Sequence, residues 1–273
     1  MGFFNRFKKQ SPPPPEAPKP EAGTMLLPLF SDVISIDAAA ETARALYGPD
    51  AVKSVDSSHP AIPALTLDLD GQEYFCSCFP MPQPKEVCDF SQVTGGLFSD
   101  QERQVILDHK SFLVLAQEGG GTSLADKRRI CTTLTRFVGA LMEREDAAGV
   151  YVNAAQLLIS PRVYRMHAGI LAQNRDDPSY FPAPLWTGIV HAYSGDRPVI
   201  ATIGLRDFGF CELCFPEPRS EWPEVHQKLY LMSIFEITGK EIYKNMDTIE
   251  FTKGNPAIFK QEGSVLYIIG SGV

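Results

Sequence analysis

The stretch ALTLDLDGQEYFCSCF, residues 64–79, decides the fold, because alternating apolar residues lie on both sides of the dipeptide Asp70-Gly71. An Asp-Gly pair between two such segments is a strong signal for a β-hairpin with a two-residue loop. Pairing across this loop places alternate residues of both strands on the same face. The shared face is apolar and is expected to belong to the core: Leu65, Leu67, Leu69, Tyr74 and Cys76.

Helices are predicted where apolar residues recur at every third or fourth position. The clearest spans residues 122–146, where Ser123 and Asp126 resemble a capping box. Residues 37–48 predict a second helix, with Asp37 as its N-cap and Gly48 beyond its last turn. Two further helices are predicted at residues 160–174 and 220–235, with Ser160 and Ser220 as N-caps.

The remaining apolar segments are short and predict strands, most of them joined by tight turns. Strands that are adjacent in sequence and joined in this way pair in antiparallel fashion. The fold class is therefore α+β, with antiparallel sheets packed against several amphipathic helices. Residues 24–273 are expected to form a single domain, and a break at the Gly-rich residues 119–122 is the alternative. The predicted strands are residues 26–35, 109–117, 149–153, 185–194, 198–205, 208–215, 247–251, 256–260 and 264–270.

The first nine residues form a tip of unusual composition, in front of a Pro-rich linker that ends at residue 23. In a helix, three aromatic side chains of this tip would share one face and three basic side chains would lie mostly on the other, as in an interfacial anchor. The tip is a candidate contact for an anionic membrane surface or a protein partner, and a solvated terminus without a binding role is the alternative. Its residues are Phe3, Phe4, Arg6, Phe7, Lys8 and Lys9.

The linker, SPPPPEAPKPEAG, follows the tip at residues 11–23. Its prolines favour polyproline II, which rises about 3.1 Å per residue, so the segment can act as a spacer of roughly 35–40 Å. A ligand for a proline-reading partner is the second interpretation. The spacer is favoured, because nothing else in the segment provides specificity.

Charge is distributed unevenly along the chain. Residues 24–273 carry 21 basic and 31 acidic side chains, a net charge of −10, whereas residues 1–23 carry +2. An acidic body argues against nucleic acid as a partner. No apolar run approaches the roughly 20 residues that span a bilayer, and no secretory signal is evident. We therefore expect a cytoplasmic protein, located at the inner face of the plasma membrane if the tip binds there, whose six cysteines stay as thiols.

A small-ligand site is predicted from two features. One is the Gly-rich turn before the long helix, where exposed amide groups can bind a phosphate, although a flexible turn plus an N-cap also explains its composition. The other is a pair of titratable residues on strands. Their alternative interpretation is structural, as a packed histidine and a carboxylate on a solvated sheet face. The residues of this predicted site are Gly119, Gly120, Gly121, Thr122, Ser123, His191 and Glu212.

The cysteines of the CSC and CELC motifs could in principle hold zinc. Cys211 and Cys214 lie on a predicted strand, however, where residues three apart point to opposite faces. Cys76 and Cys78 share the apolar face of the hairpin, where buried thiols are common. We therefore expect core thiols and assign neither a metal site nor a cofactor, with a metal or redox role as the alternative. No catalytic residue is assigned either.

One segment resembles a known family. The order Thr202-x-Gly204-Leu205-x-x-Phe208-Gly209-x-x-Glu212-Leu213, with Leu185-Trp186 upstream, is similar to the bacterial family named domain of unknown function 4261. The segment DHKSFLVLA at residues 108–116, the long helix and GVYVN at residues 149–153 are similar to its middle portion, so the resemblance covers most of residues 26–270. It implies a bacterial cytosolic protein and gives a hint of immunity-type neighbours. It implies no activity and no role for any residue.

Three hypotheses about function follow from the sequence. The first is a non-enzymatic protein-interaction module with a tail that binds membrane or a partner peripherally. The family resemblance implies that this module is immunity-like. The second is an enzyme or small-ligand binder that uses the turn at residues 119–123 or the titratable pair. A metal-dependent structural protein is a third hypothesis. The first is preferred, because the P-loop, GxGxxG, HExxH and GxSxG motifs do not occur in the sequence.

Overall fold

In a computed structural model, the described part of the chain forms two β-sheets and five α-helices. The α+β class predicted from the sequence is confirmed. The structure describes residues 23–56, 58, 59, 62–93, 96–117, 123–174, 177, 180–194, 196–216, 222–252 and 255–270. The tip at residues 1–9, the linker as far as residue 22 and the Gly-rich residues 119–122 lie outside this set.

Sheet 1 has eight strands in the order β2-β3-β4-β6-β1-β7-β8-β5. All neighbouring strands are antiparallel except β5 and β8, which are parallel. Four helices accompany this sheet: α1 (Ile36–Tyr47), α2 (Asp100–Leu107), α3 (Leu124–Leu141) and α4 (Pro161–Gln173). The strands are β1 (Thr24–Phe30), β2 (Val52–Asp56), β3 (Ala64–Leu69), β4 (Gln72–Phe79), β5 (Gly96–Leu97), β6 (Ser111–Gln117), β7 (Ala147–Val152) and β8 (Leu157–Ile159).

The hairpin predicted at residues 64–79 is confirmed. Leu67 pairs with Tyr74 and Leu65 with Cys76, as predicted from the Asp-Gly loop. Asp70 has a φ of 54° and the following glycine one of 73°, which are the positive values that this two-residue turn requires. All four paired side chains are buried in the core.

Alternate residues of the central strand β1 face different sides of sheet 1. Leu26 and Phe30 belong to the core cluster that also contains α1 and α3 residues, whereas Leu27 and Leu29 belong to a second cluster on the opposite side. The second cluster includes Ile106 of helix α2. Sheet 1 is thus covered on both faces, which explains why β1 is almost continuously apolar.

Sheet 2 has six strands in the order β12-β13-β14-β11-β10-β9. All pairs are antiparallel except β11 and β14, whose pairing is parallel and joins residues about fifty positions apart in the chain, from Glu212 to Val265. The elements are β9 (Gly188–Ser194), β10 (Arg197–Ile203), β11 (Glu212–Pro216), β12 (Thr248–Thr252), β13 (Asn255–Glu262), β14 (Val265–Gly270) and helix α5 (Trp222–Thr238).

The two faces of sheet 2 differ. One face packs against α5, where Ile200, Leu213 and Leu266 are completely or almost completely buried together with Val225 and Leu229 of the helix. The registers of β10 with β9 and β11, and of β11 with β14, place a different set of alternate residues on the opposite face. That face is less covered. Its residues are Val190, Val199, Ala201, Ile203, Glu212, Cys214, Val265 and Tyr267.

Serine side chains begin most of the helices. Ser123 accepts a hydrogen bond from the backbone N–H of Asp126, and Ser160 accepts one from the N–H of Val163, as the sequence predicted. The prediction of Asp37 as the N-cap of α1 is wrong. Ser35 holds that position and accepts a hydrogen bond from the N–H of Ala38. The strand predicted at residues 26–35 is also shorter than expected, since β1 ends at Phe30.

Candidate functional site

The family-like motif forms a sharp corner between β10 and β11. Gly204 has a φ of 108°, and a Cβ placed on it would lie 2.5 Å from the carbonyl oxygen of Trp186 and 3.2 Å from the Cβ of Ala155. Only glycine fits such a conformation and such a close approach. The motif glycine therefore has a structural reason, which is to bring this corner against the turn between β7 and β8.

Glu212 holds the corner together. Its Oε1 accepts hydrogen bonds from the backbone N–H groups of Gly204, at 2.9 Å, and Arg206, at 3.2 Å. Its Oε2 accepts one from the hydroxyl of Thr202 at 2.8 Å, and that hydroxyl accepts one from the N–H of Leu213. Burial raises the pKa of Glu212, and these hydrogen bonds oppose the rise. The carboxylate thus caps the short 3-10 helix at residues 205–208, which receives no other side-chain cap from the residues that the structure describes.

A buried ion pair fastens the same corner to helix α3. Lys127 is completely buried, and its Nζ lies 3.0 Å from Oδ1 of Asp207 in the 3-10 helix. The same nitrogen donates to the carbonyl oxygen of Gly23 at 2.7 Å and to the hydroxyl of Thr24 at 3.2 Å. A buried ammonium group needs hydrogen-bonding partners of this kind. Through them, the Lys127 ammonium group links α3 to the corner and to the first described residues of the chain.

Beside the corner lies a cavity of about 470 Å³ on the less covered face of sheet 2, which we call the sheet-2 groove. Its walls are mostly apolar, and its polar groups come from the corner, from Gln156 in the turn after β7 and from two tyrosines. Gln156 has a φ of 47°, a conformation that residues other than glycine seldom adopt. The residues that border the groove include Val190, Tyr193, Ala201, Arg206, Glu212 and Tyr267.

Strand β9 borders this groove and is the last strand of sheet 2 on that side among the described residues. It pairs with β10 from Gly188 to Ser194, and no other described strand pairs with it. Tyr193 is 77% exposed near the end of β9; strand alternation places it on the same side as His191, so it borders the groove at its rim. A terminal strand beside an apolar groove is the arrangement in which an added strand gains main-chain hydrogen bonds and side-chain pockets together.

The structure separates the two titratable residues of the predicted ligand site. Glu212 lies on the groove side of sheet 2, whereas His191 lies on the α5 side and contacts His226 of that helix. The hydroxyl of Ser123 is engaged with Asp126 at the start of α3. The other predicted members, Gly119, Gly120, Gly121 and Thr122, lie outside the described residues, as do Phe3, Phe4, Arg6, Phe7, Lys8 and Lys9.

The expected burial of the motif cysteines holds for Cys76, Cys78 and Cys214, but the predicted strand position of Cys211 is wrong. Cys214 is buried in β11, whereas Cys211 is partly buried and precedes the first residue of that strand, and no disulfide links the six thiols. Burial raises the pKa of Cys76 to about 12 and that of Cys78 to about 11, so both stay protonated near neutral pH. Within the described ranges, no group of three or more His, Cys, Asp and Glu residues is arranged to hold a metal ion.

A buried carboxyl group lies on the α5 side of sheet 2. Glu236 is 2% exposed, its Oε1 accepts a hydrogen bond from the N–H of Tyr243 at 3.4 Å, and its Oε2 has no partner among the described residues. Burial raises the pKa of Glu236 to about 8; the Tyr243 N–H opposes this rise, and the nearby Glu212 carboxylate adds to it. Glu236 is therefore mostly protonated at neutral pH.

Comparison of the chain with family models, curated proteins and solved structures finds no match. The resemblance to domain of unknown function 4261 therefore stays a prediction that rests on the motif residues. Across the described part of the chain, no helix is long and apolar enough to cross a bilayer.

The residues that sequence reasoning missed are Lys127 and Asp207. Lys127 lies on the same stripe of α3 as Ile130 and Leu134, which are completely buried. A lysine on an otherwise apolar helix stripe indicates a buried cation, and this pattern could have identified Lys127 from the sequence. Its partner could not be inferred in the same way, because Asp207 is 80 residues away in the chain.

Proposed function

We propose that the protein is a polypeptide-binding module that captures an extended, basic and aromatic segment of a protein partner along strand β9 and in the sheet-2 groove. The observation that carries this proposal is the position of the groove beside a terminal strand, with apolar walls formed by Val190, Ala201 and Tyr267. A strand added to β9 would place alternate side chains over the groove.

The chemistry of the partner follows from the walls and from the charge of the body. Apolar walls and exposed tyrosine favour an aromatic or aliphatic side chain in a cavity of about 470 Å³. Residues 24–273 carry a net charge of −10, so a basic segment is attracted and an acidic one is repelled. These two requirements together describe a segment with alternating apolar and basic residues.

An interaction role is also supported by what the polar residues of the corner do. Glu212 caps the 3-10 helix through Oε1 and accepts the Thr202 hydroxyl through Oε2, and Asp207 pairs with buried Lys127. Both carboxylates are engaged in holding the corner, as expected for a rigid binding surface. In this proposal the tip at residues 1–9 attaches the protein peripherally to the cytoplasmic face of the membrane, while the groove binds the partner.

The test is selection of random nonapeptides from a display library on the full-length protein, followed by affinity measurement by fluorescence anisotropy. Three variants are compared with the wild type: Ala201→Arg fills the groove, Tyr193→Ser removes an exposed residue at its rim, and Val55→Arg alters an exposed apolar site on sheet 1. Circular dichroism establishes that each variant is folded.

We expect enriched peptides with aromatic and basic residues, at least about tenfold weaker binding to Ala201→Arg and Tyr193→Ser, and unchanged binding to Val55→Arg. A library that yields no enriched peptide overturns the proposal. Peptides that bind the two groove variants as well as the wild type also overturn it, because their site then lies elsewhere.

A further inference from the structure

Two imidazole rings meet where strand β9 passes helix α5. His191 projects from the α5 side of β9, and His226 lies in the second turn of the helix. Their Nε2 atoms are 3.1 Å apart, their ring centroids are 5.0 Å apart, and the ring planes are inclined by 43°. His191 is exposed and His226 is partly exposed, so the space beside both nitrogens is accessible from solvent.

The separation of the two nitrogens fits joint coordination of one ion. A transition metal binds imidazole nitrogen at about 2.05 Å, so nitrogens 3.1 Å apart subtend an angle of about 98° at the ion. This value lies between the roughly 90° of octahedral or square-planar sites and the roughly 109° of tetrahedral sites.

The ring positions provide a second measure. Two imidazoles whose Nε2 atoms point at one ion with this angle place their centroids about 4.9 Å apart, given metal–nitrogen bonds of about 2.05 Å. A straight N–H···N hydrogen bond of this length between head-on rings separates the centroids by about 5.4 Å. The observed 5.0 Å is closer to the convergent arrangement.

The protonation of the pair favours the same role. Burial lowers the pKa of His191, and burial together with the neighbouring imidazole lowers the pKa of His226. Both rings are therefore mostly neutral near pH 7, which is the form that binds a metal ion. Because the described residues contribute no third ligand, water would complete the coordination sphere.

We propose that His191 and His226 together chelate one divalent transition-metal ion of the kind that prefers imidazole ligands, with Ni²⁺, Cu²⁺ and Zn²⁺ as the class. The ion links the terminal strand of sheet 2 to the helix that packs on it. This inference rests on the geometry of the two rings and is independent of the proposed peptide-binding function.

The test uses the full-length protein, prepared without a histidine tag, in calorimetric titrations with Ni²⁺ and in electron paramagnetic resonance with Cu²⁺. The variants are His191→Gln, His226→Gln and the double variant. His59→Gln is the matched control, since His59 is exposed and lies outside this pair. Circular dichroism confirms that all four are folded.

We expect one Ni²⁺ per chain, an affinity at least about tenfold weaker in each single variant, and no change in His59→Gln. The Cu²⁺ spectrum should show coupling to two nitrogens in the wild type and to one in each single variant. Equal Ni²⁺ affinity in the wild type and the double variant overturns the proposal, and so does the absence of Ni²⁺ binding to the wild type.

Discussion

Lys127 of α3 and Asp207 of the 3-10 helix form an ion pair at 3.0 Å, in a place where the lysine has no contact with solvent. Through this pair one atom of α3 holds the corner between β10 and β11 and also the carbonyl oxygen of Gly23. The position of the sheet-2 groove depends on this pair, because residues of the corner line the groove.

Substitution of Lys127 by Met should lower the free energy of unfolding by about 3–5 kcal/mol, because it leaves the Asp207 carboxylate buried without its cation. Urea unfolding followed by tryptophan fluorescence measures the change. Replacing both partners, as Lys127→Met with Asp207→Leu, should recover part of the loss. Arg144→Ala is the control: its pair with Asp146 is partly exposed, and it should cost less than about 1 kcal/mol. An equal effect of Lys127→Met and Arg144→Ala would contradict the structural role of the buried pair.

Two glycines with positive φ should respond differently to alanine. Gly204→Ala meets both a strained backbone and the carbonyl oxygen of Trp186, so we expect a loss of more than about 3 kcal/mol of unfolding free energy. Gly71→Ala meets only the strain, since no atom lies within 4 Å of the added Cβ, and should cost about 1–2 kcal/mol. Thermal or urea unfolding compares them. Similar losses at both positions would show that the close approach at Gly204 is not important.

Glu212→Ala should destabilise the fold by about 2–4 kcal/mol, because three hydrogen-bond donors at the corner lose their charged acceptor. Glu73→Ala, on the exposed side of β4, is the control and should change the unfolding free energy by less than about 0.5 kcal/mol. Urea unfolding of both variants tests this. If Glu212→Ala were as stable as the wild type, the capping role would be refuted and a role in binding would become the better explanation.

Glu236 should make stability depend on pH. Its pKa is about 8 in the folded protein, against an ordinary value of 4.5, so between these values the folded protein holds a proton that the unfolded chain has released. The unfolding free energy should therefore fall as pH rises from about 5 to about 8, by up to about 1.4 kcal/mol per pH unit from this group.

Glu236→Gln should remove this fall and should be more stable than the wild type at pH 8. Urea unfolding at pH 5, 6.5 and 8 measures the difference, with the exposed Glu73→Gln as control. Parallel pH profiles of Glu236→Gln and the wild type would mean that Glu236 is ionised in the folded protein.

The tip should bind anionic membranes weakly and reversibly. Burial of three phenylalanine side chains contributes at most about 5–9 kcal/mol, and ordering so short a segment opposes much of it. Full-length protein should co-sediment with anionic liposomes at low salt, less at high salt, and hardly at all with neutral liposomes. Phe3→Ser, Phe4→Ser and Phe7→Ser combined should abolish co-sedimentation. Binding that persists in this triple variant would exclude the phenylalanines as the anchor.

Local signals made much of this fold predictable. The Asp70-Gly71 turn specified its hairpin because the loop type and the alternating apolar residues agree. Helix α2 was missed because it is short and mostly polar, although Ser99 and Glu102 form a capping box that marks its start. The choice of Asp37 over Ser35 as a cap was wrong because both residue types suit that position.

Relations between distant residues were not predictable. The parallel pairing of Glu212 with Val265 and the contact of Lys127 with Asp207 depend on how elements pack, which no local pattern specifies. The same limit applies to the candidate sites. The sequence singled out His191 and Glu212 as a pair, but alternation along two strands and the packing of α5 put them on opposite faces of sheet 2.

The parallel pairing of β11 with β14 also bears on biosynthesis. Strand β14 lies between β11 and β13, so sheet 2 lacks an interior member until residues 265–270 have left the ribosome. Sheet 1 is arranged differently, since its central strand β1 is translated first and its partners follow. A nascent chain can therefore assemble sheet 1 before sheet 2 is complete. During that time the edge of β11 that pairs with β14 has unpaired backbone groups, which can pair with strands of other chains. Chaperone dependence during translation should consequently concentrate in the last third of the chain.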